Sequence, residues 1–350
     1  MTATARIDVT GFRHNVATLV SIVAPARVML AVKADAYGHG MLELAPAALQ
    51  AGASSLAVLE IPTALRLREA GITAPLFAWL HGSHSDFGAA AEHDIDLGIS
   101  ARWQLDAIAA AQPSRPISVH LKVDTGLHRN GATEEEWPGL VAAALDAQRA
   151  GTVTVRAIWS HLADTSPDDD AEALSRLQSA IGAASALGLH VPLSHIAASS
   201  AGIRMPEARL DLVRFGIAAY GISPFDDTDG RGLGLIPVMS LSANVTSVDP
   251  SKGTATVGIG FADGVMSAAL PHAEVLIAGI RRRIVSIGPD SLVVEALEVQ
   301  PNDEVQVFGP GDSGEPTAEE WARWADSIGD EIVTHVAPHV PRVYIERDGA

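Results

Sequence analysis

Residues 28–40 read Val28-Met-Leu-Ala-Val-Lys33-Ala-Asp-Ala-Tyr37-Gly-His-Gly40, an apolar run that closes on a lysine and a glycine-rich turn. The run predicts a buried strand over residues 28–33. A lysine at the end of a buried strand must reach solvent or find a partner. The chain has only three lysines, Lys33, Lys122 and Lys252, among 24 basic residues. Arginine would serve at a solvated strand end, so we interpret Lys33 as an amine whose chemistry requires loss of a proton.

Seven more apolar runs follow this strand, and alanine-rich stretches with helical spacing separate them. Strands that alternate with helices in this rhythm pair in parallel. Eight such units predict an α/β fold that opens with an N-terminal (β/α)8 TIM barrel, with an open doubly wound sheet as the alternative. The predicted strands cover residues 28–33, 54–59, 76–80, 95–99, 117–123, 155–160, 193–197 and 211–214.

The pattern changes after Pro224. Residues 225–234 are rich in aspartate and glycine, and beyond Pro237 segments of alternating Val, Ile and Leu are closed by turn residues. We predict a barrel domain over residues 1–228 and a smaller, mainly β C-terminal domain over residues 229–350. One amphipathic helix is predicted there over residues 317–328, with Trp321 and Trp324 as core or interface anchors. The predicted strands of this domain cover residues 238–248, 274–277, 291–296 and 304–308.

Composition excludes several kinds of chemistry. The chain has no cysteine, which rules out disulfides, a cysteine nucleophile and zinc sites that need thiolate. Its formal net charge of −18 argues against a nucleic-acid partner. No apolar run in the sequence is long enough for a bilayer, so we expect a cytoplasmic protein that binds no membrane. The histidine pairs 81/84 and 335/339 lack an obvious third ligand, and we expect no metal.

Polar side chains follow several predicted strands, at the end where barrel enzymes hold their active sites. Lys122 lies at the end of the fifth strand, and Arg129 lies in the loop after it. The loops after the last two strands commonly bind phosphate through backbone N–H groups and hydroxyls, which favours Ser199 and Gly216. The sequence therefore predicts a site at these strand ends, with polar groups from Lys33, Lys122, Arg129, His161, Ser199, Arg214 and Gly216.

These motifs, in this order, resemble the alanine racemase family over nearly the whole chain. The stretch from Ala31 to Gly40 is the most specific part of the match, and Gly258-Ile-Gly260-Phe-Ala-Asp-Gly264 and Val340-Pro-Arg342 continue it. Members of the family are pyridoxal-phosphate enzymes with an N-terminal barrel and a C-terminal β domain. The resemblance implies pyridoxal 5'-phosphate as the cofactor and Lys33 as the catalytic residue, through a lysine aldimine and proton transfer at Cα.

The resemblance also implies roles for the other positions. Tyr37 and the residues after the seventh and eighth strands match phosphate ligands, while His161 flanks the cofactor ring and Arg214 faces its pyridine nitrogen. Arg129 matches an arginine near the cofactor phenolate and the substrate. Lys122 matches a lysine, carbamylated in many members, that supports this arginine. The cofactor-binding residues implied in this way are Lys33, Tyr37, His161, Ser199, Arg214, Gly216 and Ile217.

The second domain departs from the family pattern. Racemization needs a second base on the opposite face of the substrate, and the family takes a tyrosine from the partner subunit's C-terminal domain. Residues 245–257 run straight into the glycine motif without that segment, and no tyrosine lies between Tyr220 and Tyr344. The motif's own tyrosine is replaced by Phe261, and a phosphate-binding tyrosine aligns with Asp330, whose carboxylate would repel phosphate.

Two functions are compatible with these residues. The first is a homodimeric alanine racemase that interconverts L- and D-alanine, or a related amino acid, with sites at the subunit interface and an unidentified second base. The alternative is a racemase-like cofactor-binding protein with lost or altered activity, either regulatory or restricted to one enantiomer. A decarboxylase is disfavoured because Arg214 stands where related decarboxylases carry a carboxylate, and because the cysteine they use is absent.

Overall fold

The computed structural model describes residues 3–296 and 298–346. Within these residues, sixteen strands form two eight-stranded sheets. The strands are β1 Thr4–Asp8, β2 Arg27–Ala31, β3 Ser55–Val58, β4 Leu76–Ala78, β5 Ile95–Ile99, β6 Ile117–Lys122, β7 Val153–Trp159, β8 Leu193–His195, β9 Leu212–Phe215, β10 Met239–Asp249, β11 Thr254–Val257, β12 Glu274–Ile277, β13 Ile280–Ile287, β14 Leu292–Glu295, β15 Glu304–Phe308 and β16 Arg342–Ile345.

Eleven helices connect or flank these strands in the described ranges. They are α1 Val9–Val23, α2 Lys33–Tyr37, α3 Met41–Gln50, α4 Ile61–Glu69, α5 Phe87–Glu92, α6 Arg102–Ala110, α7 Trp137–Arg149, α8 Pro167–Ala186, α9 Ser199–Arg204, α10 Ala318–Ala325 and α11 Gly329–His335. None of them, as far as the chain is described, is long and apolar enough to cross a membrane.

The first sheet is a closed parallel barrel. Its order is β8-β7-β6-β5-β4-β3-β2-β9. The backbone N–H of Asp211 donates to Ser194 O at 3.3 Å and that of Arg214 donates to Ala197 O at 3.1 Å, which joins the two outer strands. The predicted (β/α)8 barrel is confirmed, and the open doubly wound alternative is wrong.

The barrel strands form because their residues are buried on both faces. The strands of a parallel sheet that helices cover have continuous apolar sequences. Every residue of β3, β4, β5 and β9 is buried. One cluster inside the barrel joins Met29, Ala57, Phe77, Trp159 and Leu212, from five different strands. Full burial of a side chain the size of Phe77 contributes roughly 1.5–3 kcal/mol.

Lys33 does not close the first barrel strand as predicted. The strand β2 ends at Ala31, and Lys33 is the first residue of α2. The backbone of residues 34–37 is left-handed, with φ between 51° and 55° at Ala34, Asp35, Ala36 and Tyr37. Such a conformation costs about 1–2 kcal/mol for each residue that has a Cβ atom. Asp35 offsets part of this cost, because its Oδ1 accepts the Met41 N–H at 2.9 Å and its carbonyl accepts the Gly40 N–H.

The chain divides into two compact units. One draws on Leu19–Lys33 and Ala48–Gly216, and includes the barrel strands; the other draws on the described residues of Met1–Thr18, Ala34–Ala47 and Ile217–Ala350. The second sheet has the order β11-β14-β13-β12-β15-β10-β1-β16, and its described pairings are antiparallel except for β1 with β16. The predicted mainly β C-terminal domain is confirmed as a fold class. The boundary at residue 228 stays a prediction.

The helix predicted over residues 317–328 ends three residues early in the structure, and a second helix that was not predicted follows it. A capping box opens α10, in which the Glu320 N–H donates to Thr317 Oγ1 and the Thr317 N–H donates to Glu320 Oε2. The helix ends at Ala325 because Asp326 is left-handed, with φ of 52°, and α11 begins at Gly329. Trp321 is 1 % exposed and its indole donates to Val307 O at 2.7 Å. Its predicted role as a core anchor is confirmed.

The hairpin between β10 and β11 is short. Asp249 pairs with Thr254, so only residues 250–253 connect the two strands. The Asp249 carboxylate accepts hydrogen bonds from the Ser251 N–H and hydroxyl and from the Lys252 N–H, and Gly253 supplies a positive φ of 65°. A closed turn of four residues therefore connects the strands where the family resemblance implies a longer segment.

Candidate active site

Four basic side chains act electrostatically on one imidazole, and one of them, Arg214, lies with its Nη2 3.0 Å from that imidazole's Nδ1. His161 lies two residues after β7, and burial lowers its pKa to about 2. The charges of Arg214, Arg129, Lys122 and Lys33 follow burial as causes of this shift, in that order. An imidazole in this position is neutral at physiological pH. The structure thus brings together five of the residues that the sequence predicts for the site.

Arg214, in β9, is the best-anchored of these cations. Its Nη2 donates to Ser160 O and Ile196 O, both at 2.9 Å, and lies 3.0 Å from His161 Nδ1. Its Nη1 donates to His195 Nδ1 at 2.7 Å. Burial, and then the charge of Arg129, lower the pKa of Arg214 to about 9. The guanidinium therefore remains protonated at neutral pH and can only donate.

Lys122 is the last residue of β6 and is 5 % exposed. Its Nζ lies 4.8 Å from the centroid of the Trp159 ring, and the guanidinium carbon of Arg214 lies 5.1 Å from the same centroid. Burial lowers the pKa of Lys122 to about 8, helped by Arg214 and Arg129. The amine is thus partly neutral near physiological pH, which arginine could not be.

Arg129 lies in the loop after β6 and is exposed. Hydrogen bonds and a tightly packed glycine fix the backbone of this loop. Asp124 Oδ1 accepts the N–H groups of Gly126 and His128 at 3.0 and 3.1 Å. Gly131 has φ of 129°, and a Cβ atom there would lie 2.7 Å from the Asp124 nitrogen. A cleft of about 500 Å³ adjoins Arg129, with Glu60, His81, Trp103 and Gln104 among its lining residues. A small molecule can therefore reach the arginine.

Two of the predicted phosphate ligands lie together in the barrel unit. Ser199 begins α9, after β8, and its Oγ accepts the Gly216 N–H at 3.2 Å. The hydroxyl of Ser199 and the backbone after β9 are thus adjacent. Groups of these two kinds bind phosphate in barrel enzymes.

Tyr37 and Ile217 belong to the other compact unit. Tyr37 ends α2, and its ring centroid lies 5.0 Å from that of Tyr220. Burial raises the pKa of Tyr37, and the carboxylate of Asp330 raises it further. Ile217 begins a 3₁₀ helix that ends at Tyr220. The predicted repulsion of phosphate by Asp330 stays a prediction.

The structure adds residues that sequence reasoning missed. His195 and His120 lie inside barrel strands and are 0 % and 2 % exposed, and Asp96 in β5 is 6 % exposed. The sequence gives one indication of these residues, because each is a polar residue in a strand that is otherwise largely apolar. Their partners could not be read from the sequence, since the contacts join four different strands.

Comparison with known proteins identifies the family to which this arrangement belongs. A family model described as the alanine racemase N-terminal domain matches residues 7–224, and one described as the C-terminal domain matches residues 239–344. The chain is 42 % identical to an alanine racemase from Thermobifida fusca, with 98 % of each chain covered. It is 40 % identical to one from Frankia casuarinae, with 97 % of this chain and 96 % of the relative covered.

The chain belongs to the alanine racemase family. Solved structures agree: the alanine racemase of Streptomyces coelicolor has a TM-score of 0.94 and 37 % identity, with 98 % of each chain covered. That of Streptomyces lavendulae has a TM-score of 0.93 and 36 % identity, with 99 % of this chain and 97 % of the other covered. Alanine racemases as a family depend on pyridoxal phosphate and act on amino acids. Membership explains the lysine-bearing turn that follows the first barrel strand.

This alanine racemase family member also lacks residues that a close relative has. Its alignment with the Thermobifida fusca protein extends over 367 positions, whereas the chain has 350 residues. At least part of the alignment therefore has no counterpart in this chain.

Proposed function

We propose that this chain is a pyridoxal-phosphate-dependent racemase that interconverts L- and D-alanine. Family membership and the relatives' activity support the reaction. The single structural observation that carries the proposal is the contact of Arg214 with a neutral His161, whose pKa the charges of Lys33, Lys122 and Arg129 lower as well. Unbalanced positive charge at the end of a barrel is costly unless an anionic ligand neutralizes it.

The residues present fit the cofactor. Lys33 supplies the primary amine that a carbonyl cofactor requires, and Ser199 with Gly216 supplies a hydroxyl and backbone donors for its phosphate. Arg214 would hold the ring nitrogen as a donor. When bound, pyridoxal phosphate accepts the electron pair of the substrate Cα–H bond as that bond breaks.

Residues of this chain would transfer the Cα proton and bind the substrate. Lys33 removes a proton from the substrate Cα or returns it, acting as a general base or acid. Arg214 stays protonated and would give the ring nitrogen a hydrogen bond rather than a full proton, which would favour return of the proton to Cα over transamination. Arg129, beside the open cleft, is placed to bind the substrate carboxylate through its fork of donors. Lys122 supports this arginine.

Several finer assignments remain part of the proposal. We assign Tyr37 and Ile217 to the cofactor phosphate on the sequence resemblance alone. A homodimer, with residues of both subunits at each site, and a cytoplasmic location are proposed on the same ground. The domain boundary at residue 228 also stays a prediction, and it falls between the two regions that match the family models.

One observation favours a second candidate function, Cα proton exchange on one enantiomer without racemization. Racemization needs a second acid or base on the face of Cα opposite Lys33. The closed hairpin over residues 250–253 holds no tyrosine. Of the chain's three tyrosines, Tyr37 and Tyr220 are buried, and Tyr344 donates its hydroxyl to Glu43 at 3.2 Å.

Deuterium exchange separates these functions. The cofactor-loaded protein is incubated in deuterated buffer with L-alanine and, separately, with D-alanine, and both label and enantiomer are measured. A racemase incorporates deuterium from either starting enantiomer and interconverts them. Exchange confined to one enantiomer, without interconversion, selects the second function. Exchange into neither enantiomer contradicts both.

A further inference from the structure

A row of buried polar groups leads from Arg214 across the inside of the barrel. Arg214 Nη1 lies 2.7 Å from His195 Nδ1, and His195 Nε2 lies 3.0 Å from His120 Nδ1. His120 Nε2 lies 3.4 Å from Asp96 Oδ2, and within the described residues it has no hydrogen bond of good geometry. Arg156 Nη1 approaches the same carboxylate oxygen at 3.3 Å. The four members Arg214, His195, His120 and Asp96 are called the polar row below.

The Arg214 end of the polar row fixes the direction of both hydrogen bonds in it. Arg214 can only donate, so His195 Nδ1 must accept and the His195 proton must sit on Nε2. His195 then donates to His120 Nδ1, which places the His120 proton on Nε2. The Asp96 carboxylate lies 3.4 Å from this nitrogen without a hydrogen bond of good geometry, and its negative charge favours a proton there. Both imidazoles are therefore neutral and each has one permitted tautomer.

Aromatic rings hold the two imidazoles in place. The His120 ring stacks on Phe77 with centroids 4.5 Å apart and an interplanar angle of 21°. The His195 ring stacks on Trp159 at 5.5 Å and 18°. The Trp159 indole also donates to His120 O at 3.1 Å. Since the rings cannot turn freely, a change of tautomer is the simplest way for the row to change.

Through the two histidines of the polar row, the Asp96 carboxylate acts indirectly on Arg214. The hydrogen-bond acceptors that the structure gives to Arg214 are two backbone carbonyls and two imidazole nitrogens, all neutral. A buried charge needs well-oriented partners if its desolvation is to be tolerated. Through the polar row, the negative charge of Asp96 orients the imidazole that accepts from Arg214.

We propose that Asp96 and His120 are positioning residues, which lock His195 as an acceptor and thereby hold the Arg214 guanidinium in its donor geometry. The proposal rests on the proposed function, since it assigns Arg214 to the cofactor ring. It adds that the site extends to a carboxylate on β5, whose side chain touches neither substrate nor cofactor.

Replacing Asp96 with asparagine should release this lock. An asparagine amide can donate to His120 Nε2 as well as accept from it. When it donates, the His120 proton moves to Nδ1, and the His195 proton moves to Nδ1 in turn. His195 then presents an N–H to Arg214, and the hydrogen bond between them is lost.

The direct test is nitrogen NMR of the holoprotein labelled with ¹⁵N-histidine, with signals assigned through His195→Gln and His120→Gln. In the unmodified protein we expect one tautomer at each residue, with the proton on Nε2. In Asp96→Asn we expect both tautomers at His195. A proton on Nδ1 of His195 in the unmodified protein, or a single unchanged tautomer in Asp96→Asn, overturns the proposal. If Asp96→Asn does not fold, the spectra of the unmodified protein decide.

A matched control separates positioning from the loss of any buried carboxylate. Asp170 in α8 is 8 % exposed and accepts the Asp164 N–H, but it is no part of the polar row. Asp170→Asn should keep the native His195 tautomer. In the same enzyme assay, Asp96→Asn should lower kcat by roughly 10-fold or more, with KM for alanine unchanged, because a misplaced tautomer harms the chemical step rather than substrate binding. An equal loss in Asp170→Asn would contradict a positioning role.

The NMR result is independent of the proposed function. If the unmodified protein exchanges no deuterium into alanine, the proposed function fails, and the tautomers still report whether the polar row exists. If alanine exchanges normally but Asp96→Asn leaves the tautomers unchanged, only the positioning proposal fails.

Discussion

Lys33→Ala should remove both the visible absorption band of the cofactor-loaded protein and its exchange of deuterium into alanine. In the proposed function, the amine of Lys33 binds the carbonyl carbon of the cofactor and also moves the Cα proton. Loss of a positioned general base alone lowers a rate by about 10²–10⁴-fold. We therefore expect the exchange rate to fall by about 10³-fold or more, measured by mass spectrometry of alanine.

The control for this variant is Lys252→Ala. Lys252 lies in the short hairpin of the other unit, is 75 % exposed and pairs with Asp249 at 3.2 Å. Its removal should leave the absorption band and the exchange rate unchanged. Exchange at the native rate in Lys33→Ala would show that another amine carries the reaction.

Arg214→Met should destabilize the barrel as well as stop the reaction. The substitution leaves Ser160 O, Ile196 O and His195 Nδ1 without their donor inside a buried site. Each buried polar group left unpaired costs about 1–3 kcal/mol. We expect the free energy of unfolding to fall by about 3 kcal/mol or more, measured by urea unfolding of the cofactor-free protein.

Arg149→Met tests whether this loss comes from burial rather than from the loss of any arginine. Arg149 is 75 % exposed and pairs with Asp146 three residues earlier. An exposed ion pair contributes little to stability, so the urea midpoint should hardly change. A similar midpoint for Arg214→Met and the unmodified protein would mean that the carbonyls find other donors, and would count against the anchoring role of Arg214.

The barrel could be predicted because its strands are buried on both faces. The run from Val28 to Ala31 is apolar throughout, and each of the eight predicted strands is present with ends that shift by no more than two residues. The left-handed turn after Lys33 could not be predicted, because alanine, aspartate and tyrosine do not favour positive φ. Packing and hydrogen bonds hold it, among them those of Asp35 and of the carbonyls of Ala34 and Ala36.

The second sheet was harder to predict from its residues. The strand β1 has five residues and alternates, with Ala5 and Ile7 fully buried, but its partners β10 and β16 lie more than 200 residues away. The strand β13 begins Ile280-Arg-Arg-Arg, and its side chains are mostly exposed. Three successive arginines do not show the apolar pattern from which a strand is predicted. Both strands depend on pairing rather than on a local signal.

The candidate site divides in the same way. Lys33 and Lys122 could be singled out because lysine is rare in this chain and arginine cannot lose its proton. His195, His120 and Asp96 could not, because a buried histidine or aspartate has a function only through the groups it contacts. Those contacts join β5, β6, β8 and β9, and only the closed barrel brings them together.

The most direct test of the central claim, that the barrel lysine Lys33 holds pyridoxal phosphate, is to locate the cofactor on the chain. The holoprotein is reduced with borohydride, digested and analysed by mass spectrometry for a phosphopyridoxyl group on lysine. We predict the group on the peptide that contains Lys33, at close to one per chain. A group on Lys122 or Lys252 instead, or no modified lysine in a protein loaded with the cofactor, would contradict the account.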